Sequence, residues 1–204
     1  MSTTTDSALT VEVLQGDQIL PWLQALAELR LRVFAEWPYL YQGDAAYEAE
    51  YLSVYARSAG SVIVLARDGD RVVGCSSAIP LVDEQPAFRK PLEQAGYAPE
   101  TVCYFGESVL LPSYRGRGLG HRFFDAREAA ARRDPAVTTT CFCAVQRDPD
   151  DPRRPPDYRP LDAFWRKRGY QPRPDLIAEF DWQEVGEPGL QRHRLMYWVR
   201  GLVE

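Results

Sequence analysis

The chain has 204 residues, 45% of them hydrophobic and 26% charged, with a formal net charge of -5. That length suits one domain spanning residues 1–204, and the composition suits a folded soluble protein. The acidic balance argues against a nucleic-acid surface, no apolar run approaches the roughly 20 residues of a membrane span, and the opening Met-Ser-Thr-Thr-Thr-Asp-Ser lacks the basic start and apolar core of a signal peptide.

Residues 1–8 read as a flexible start, and residues 11–14 as a first strand. Leu20, Leu23, Ala27, Leu31 and Phe34 recur at helical spacing, with Pro21 suited to a first turn. An aromatic segment bounded by Pro38 and Gly43 follows, then a second helix with Tyr47, Tyr51, Val54 and Tyr55 on one face. Residues 61–66 and 71–79 read as a hairpin closed by Asp68-Gly-Asp. Residues 82–99 are irregular apart from a short helix around 91–95, and residues 102–110 form one strand. A helix spans 119–132 and stops at Asp134-Pro135; residues 137–145 make a central strand. Residues 146–160 carry five prolines and form a loop, 161–168 a short helix ended by Gly169, and 177–182 and 192–199 a final strand pair. Tyr197 and Trp198 suggest an apolar dimer contact. Cys75, Cys103, Cys141 and Cys143 all lie in apolar strands, where cysteine behaves as a small hydrophobe. Cys141-x-Cys143 lacks zinc-site spacing and partner histidines, which points to a reducing cytoplasm and no metal.

The junction between the strand at 102–110 and the next helix holds Gly116, Gly118 and Gly120 in alternation, flanked by Arg115 and Arg117. A glycine-rich turn entering a helix exposes N–H groups that have no intrahelical partner, and these attract phosphate. No Lys-Ser/Thr pair ends the loop, as a P-loop requires, and the glycine spacing differs from the Gly-x-Gly-x-x-Gly dinucleotide fingerprint. Arg115-Gly-Arg-Gly118-Leu-Gly120 instead resembles the acyl-CoA pyrophosphate loop of the GNAT acetyltransferase superfamily. The run Phe164-Trp-Arg-Lys-Arg-Gly-Tyr170 looks like that family's short helix and following strand entry, and the element order matches along essentially the whole chain. The aromatic segment resembles one subset of bacterial members.

The resemblance implies an α/β fold: a mixed, mostly antiparallel sheet of about seven strands, helices on both faces, and a splayed cleft for acetyl-CoA. It places Arg115, Gly116, Arg117, Gly118, Leu119 and Gly120 on the diphosphate, with His121 in the first helical turn. It also implies a bulge at Ser108, Val109 and Leu110 that turns backbone groups toward the pantetheine and stabilises an oxyanion. The implied reaction moves an acetyl group to the primary amine of a small molecule by direct attack. Glu107, a charge inside an apolar strand, is the candidate general base, with a structural salt bridge or a sheet-edge residue facing water as the other reading. The family's usual tyrosine acid is replaced by Trp165, so Tyr158 is the substitute candidate, with a merely packed tyrosine as the other reading. The segment from Glu36 to Asp44 falls where the family builds its acceptor pocket. There Trp37, Tyr39 and Tyr41 can stack on a substrate and Glu36 and Asp44 favour positive charge, while an aromatic plug in the core is an equal reading for Trp37 and Tyr39. Arg153, Arg154 and Arg159 can reach a ribose phosphate or stay solvated, and His193 reads as packing. The acceptor stays open among peptide N-termini, polyamines, amino acids and aminoglycosides. A non-catalytic acyl-CoA-binding regulatory module also stays open, because of Trp165 and the arginine-rich loop.

Overall fold

The computed structural model describes residues 9–202, so the expected flexibility of residues 1–8 lies outside the described residues. Eight strands form one sheet: β1 Leu9–Leu14, β2 Val62–Asp68, β3 Arg71–Pro80, β4 Val102–Tyr104, β5 Ser108–Leu110, β6 Thr139–Val145, β7 Gln171–Gln183 and β8 Leu190–Gly201. Their order is β1-β2-β3-β4-β6-β8-β7, with β5 beside β3. Among the described residues only β4 and β6 pair in parallel; the others are antiparallel. Among the described residues no helix is long and apolar enough to cross a membrane.

Among the described residues five α-helices accompany the sheet: α1 Leu23–Phe34, α2 Ala45–Arg57, α3 Pro86–Gln94, α4 Leu119–Ala131 and α5 Asp162–Lys167. α1 packs on α2 and over β3 and β5, while α4 lies against β2 and β3. Glycines in the sheet let helices come close on both faces. A Cβ on Gly74 would stand 3.2 Å from Phe123 of α4, and one on Gly106 would stand 2.1 Å from the Tyr55 hydroxyl of α2.

Four readings need correction. First, the helix expected around 91–95 begins at Pro86, whose fixed φ suits a first turn, and it carries Pro91 inside. Second, Tyr51, Val54 and Tyr55 of α2 face the core as expected, but Tyr47 does not, and Glu48 and Leu52 join the inward stripe. Glu48, Leu52 and Tyr55 are buried while Tyr47 is 57% exposed, because Glu48 has an arginine partner inside. Third, Tyr197 and Trp198 are fully buried in the core and offer no dimer surface.

Fourth, the single strand expected at 102–110 is broken. β4 pairs with β6 as far as the Phe105 N–H, which bonds the Cys141 carbonyl at 2.8 Å. Gly106 and Glu107 then both oppose Ser77: the Gly106 N–H donates to the Ser77 carbonyl at 3.2 Å, and the Ser77 N–H donates to the Glu107 carbonyl at 3.1 Å. One extra residue against one partner is a β-bulge. It sits at Gly106-Glu107, not at Ser108, Val109 and Leu110, which pair regularly with Ser76, Cys75 and Gly74. After the bulge β5 follows β3 alone, while β6 continues along β8 to Val145. The sheet therefore splays between β5 and β6.

Candidate active site

The Leu110–α4 connection lies at the mouth of this splay. Gly116 and Gly118 take φ of 75° and 79°, the left-handed region where a side chain is strained. Nothing lies within 4 Å of where their Cβ atoms would be, so the loop is open above both. Gly118 is the N-cap of α4, which has neither a side-chain cap nor an acidic residue in its first turn. The N–H groups of His121 and Arg122 turn back to the Gly118 carbonyl at 3.1 and 3.3 Å. Those of Leu119 and Gly120, at the first two helical positions, have no acceptor in the helix and carry its positive end.

The loop's side chains are anchored beside this opening. Tyr114 donates to Asp68 at 2.6 Å, and the Arg117 guanidinium lies 5.0 Å from the Tyr114 ring centre. Arg115 donates through Nε to the Leu110 carbonyl at 3.1 Å and through Nη2 to Glu36 at 2.9 Å. Glu36 thus faces the loop. His121 is exposed, its ring edge-on to Phe164 at 4.9 Å.

Along β5, Val109 sits opposite Cys75, and the Leu111 N–H bonds the Val73 carbonyl at 2.9 Å. Antiparallel alternation therefore turns the backbone groups of Ser108 and Leu110 away from β3, toward the splay.

Glu107 stands at the bulge with its side chain 2% exposed. Oε2 accepts from Arg30 of α1; Oε1 is buried and has no partner among the described residues. The same guanidinium bonds Glu48 of α2, which accepts from the Tyr41 hydroxyl at 2.7 Å. The Tyr51 ring lies 4.7 Å from Arg30. Burial works against the Arg30 charge, but Glu107, Tyr51 and Glu48 outweigh it and hold its pKa well above the ordinary value. From the opposite face Arg127 of α4, fully buried between Phe105 and Phe124, donates to the Glu107 carbonyl at 3.1 Å. Burial brings Arg127 down to about 10. The bulge is thus held by buried arginines from both sides of the sheet.

The aromatic segment divides in two. Tyr41 joins the Arg30 network. Tyr39 packs between Phe34 at 4.7 Å and Trp182 at 6.0 Å, and burial raises its phenol. Its carbonyl accepts from Arg147 at 2.7 Å and from the Trp182 indole at 3.2 Å. Trp37 stands edge-on to Tyr158 at 6.0 Å. Tyr158 is half-buried on the 146–160 loop, and burial raises its phenol as well. Asp44 caps α2, accepting from Ala46 and Tyr47 N–H at 3.0 Å each. Trp165 packs on Phe142 and Trp198, each ring 5.0 Å away. Arg153 pairs with Asp151 and Glu184, Arg154 donates to the Pro149 carbonyl at 3.1 Å, and Arg159 is exposed. His193 stacks on Trp182 at 3.7 Å.

Sequence reasoning missed Arg30 and Glu48. Both sit at core positions of amphipathic helices: Arg30 four residues after Leu26, and Glu48 four before Leu52. A charge on an apolar stripe signals a buried partner.

Residues 23–155, more than half of the chain, match the family model described as "Acetyltransferase (GNAT) family". No curated protein matches the chain. Among solved structures, a putative acetyltransferase, yncA from Salmonella typhimurium with its cofactor acetyl-CoA, superposes with a TM-score of 0.59 at 14% identity. It covers 97% of this chain and 95% of its own. Arabidopsis thaliana NAA60 in complex with acetyl-CoA gives 0.59 at 10%, covering 96% and 99%. The aminoglycoside acetyltransferase AAC(6')-Ib in complex with coenzyme A gives 0.57 at 16%, covering 96% and 95%. At such identities the superpositions speak to the fold. The splayed sheet, the uncapped glycine loop at its mouth and the sequence match agree, and the chain belongs to the GNAT acetyltransferase family.

Proposed function

We propose that this protein transfers an acetyl group from acetyl-CoA to a primary amine of a small molecule, with Glu107 as general base. The N–H groups of Leu119 and Gly120 and the open turn from Arg115 to Gly118 would hold the diphosphate, since no side chain of the first helical turn competes for them. Ser108 and Leu110 would bond the pantetheine through the backbone groups that lack a second strand, Val109 keeping β5 fixed on β3. Acetyl-CoA bound there supplies an activated thioester, whose C–S bond is exchanged for an N–C bond to the amine. The acetyltransferase relatives solved with acetyl-CoA support this assignment.

An alkylammonium has a pKa of about 10.4 and must lose a proton before its nitrogen can attack. The observation that carries the reading is the unpartnered Oε1 of Glu107, a buried carboxylate oxygen beside the splay. Arg30 holds the other oxygen, so the free one has a fixed direction. Such a base contributes about 10²–10⁴-fold. Tyr158 is the proposed donor to the departing thiolate, a half-buried phenol on the 146–160 loop standing edge-on to Trp37. Trp37, Tyr39 and Tyr41 would wall the acceptor side, with Glu36 set back on Arg115. The four cysteines are free thiols, in keeping with a cytoplasmic location. Thiol release from acetyl-CoA with a panel of amines tests the proposal: release should rise with an amine present, and an amine-independent rate would overturn it.

A further inference from the structure

Glu184 is a buried acid that the proposed reaction leaves unused. It directly follows β7 and is 3% exposed. Its N–H donates to the Gln191 side chain at 3.0 Å. Both of its carboxylate oxygens are taken by arginines of one loop: Oε1 accepts from Arg147 and Oε2 from Arg153. Arg153 also pairs with Asp151 at 2.6 Å, so two guanidinium groups meet two carboxylates. A buried carboxylate with a charged donor on each oxygen is strongly directional, and removing one partner strands the others.

These contacts reach every aromatic residue assigned to the acceptor side. The Arg147 guanidinium lies 5.6 Å from the Trp37 ring centre and donates to the Tyr39 carbonyl at 2.7 Å. Tyr41 pairs with Glu184 itself in an antiparallel bridge. On either side of that bridge the Gln42 N–H donates to the Gln183 carbonyl at 2.9 Å, and the Val185 N–H to the Leu40 carbonyl at 2.7 Å. The segment from Glu36 to Asp44 is thus laid against the end of β7.

Arg153 does the same for the loop that carries Tyr158. The backbone hydrogen bonds of residues 148–160 are turns within the loop: the Asp151, Arg154 and Tyr158 N–H groups donate to the Asp148, Asp151 and Pro155 carbonyls at 3.2, 3.0 and 3.0 Å. Among the described residues, the only hydrogen bond that ties 148–160 to another part of the chain runs from Arg153 to Glu184. Five prolines already restrict this loop, so one buried anchor has few conformations left to select among.

We propose that Glu184 is a positioning residue for acetyl transfer: it clamps the 146–160 loop onto the aromatic segment and so fixes Tyr158 edge-on to Trp37 on the acceptor side. It acts through Arg147 and Arg153, not by contact with a substrate. The inference rests on the proposed reading of these two segments as the acceptor side.

Two variants of the full chain test it. Glu184→Gln removes the charge shared by both arginines. Arg153→Gln, at an exposed side chain, cuts the loop's anchor and leaves Arg147 paired, and it decides the matter alone if Glu184→Gln fails to fold. Native-state chymotrypsin cleavage after Tyr158, followed by mass spectrometry, should run about tenfold or more faster in either variant, because the loop opens more readily. With acetyl-CoA saturating, kcat/KM for an amine that the wild type accepts should fall about tenfold or more, while acetyl-CoA affinity by titration calorimetry stays within about twofold. A general loss of structure would lower both. Unchanged cleavage, unchanged amine kinetics, or a parallel loss of acetyl-CoA affinity overturns the clamp. Where the wild type releases no thiol with any amine, faster cleavage in the variants upholds the clamp and sinks the acetyl-transfer reading instead.

Discussion

Arg30 grips the carboxylate of Glu107 from 77 positions earlier in the chain, and the pair is buried. The same guanidinium holds Glu48. Removing one partner of a buried ion pair strands the other charge. Arg30→Met is therefore expected to lose about 3–5 kcal/mol in urea unfolding. The triple variant with Glu48→Gln and Glu107→Gln should regain more than half of that loss, since no buried charge is left alone. Equal losses in the single and triple variants would show that Arg30 acts through packing only.

Gly106 and Tyr55 form a steric pair. A methyl group at Gly106 would stand 2.1 Å from the Tyr55 hydroxyl and 2.7 Å from that of Ser77. Gly106→Ala should cost about 1–3 kcal/mol, the range for forced overpacking. Tyr55→Phe removes the closest atom, so the double variant should be more stable than the sum of the two single effects. A thermodynamic cycle by chemical denaturation measures the coupling, and additive losses would refute it.

Glu84 should leave a signature in the pH dependence of stability. Burial raises its carboxyl to about 7 from an ordinary 4.5, with Glu107 adding to the shift and Gln85 and Arg30 opposing it. Tyr51, Tyr55, Tyr104 and Tyr197 also face this charge. Because the folded pKa lies above the unfolded one, the folded state keeps a proton that the unfolded chain has lost between pH 4.5 and about 7. The contribution is present in full below 4.5 and is lost as pH rises toward 7. Relative to Glu84→Gln, the wild type should lose on the order of 3 kcal/mol across that window and no more above it. A parallel pH course for the two proteins would show that Glu84 ionises normally.

Gly118 offers a test of the phosphate loop that leaves the proposed base untouched. Its φ of 79° strains any side chain, yet the space around it is open. Gly118→Ala should cost about 1–2 kcal/mol of backbone strain. If the α4 N-terminus holds the diphosphate, acetyl-CoA affinity should fall several-fold while amine affinity stays. Unchanged acetyl-CoA affinity would move the diphosphate elsewhere.

The backbone of the glycine loop follows from local chemistry. Gly116 and Gly118 adopt positive φ at the turn that the alternating glycines marked, and α4 begins at Leu119 as the sequence suggested. The bulge was placed two residues late, since Gly106 lies under the Tyr55 hydroxyl of α2, a contact between distant parts of the chain. Arg30 and Glu48 carried a signal as charges on core stripes, but their partner could not be named without the packing of α1 on β5. Glu84 lies in an irregular run of polar residues, where burial has no periodic trace. Asp44 looked like a pocket charge and is a helix cap, a role that Asp before an alanine-rich first turn also signals.

The central claim is that Glu107 takes the proton of the attacking amine. Steady-state thiol release from acetyl-CoA, measured for wild type and Glu107→Gln from pH 6 to 9 with one saturating amine, tests it most directly. The account predicts that kcat falls by about 10²-fold or more near neutral pH, with acetyl-CoA affinity within about twofold, and that the gap narrows as pH rises and more of the amine is already neutral. Equal turnover of the two proteins across that range would contradict it.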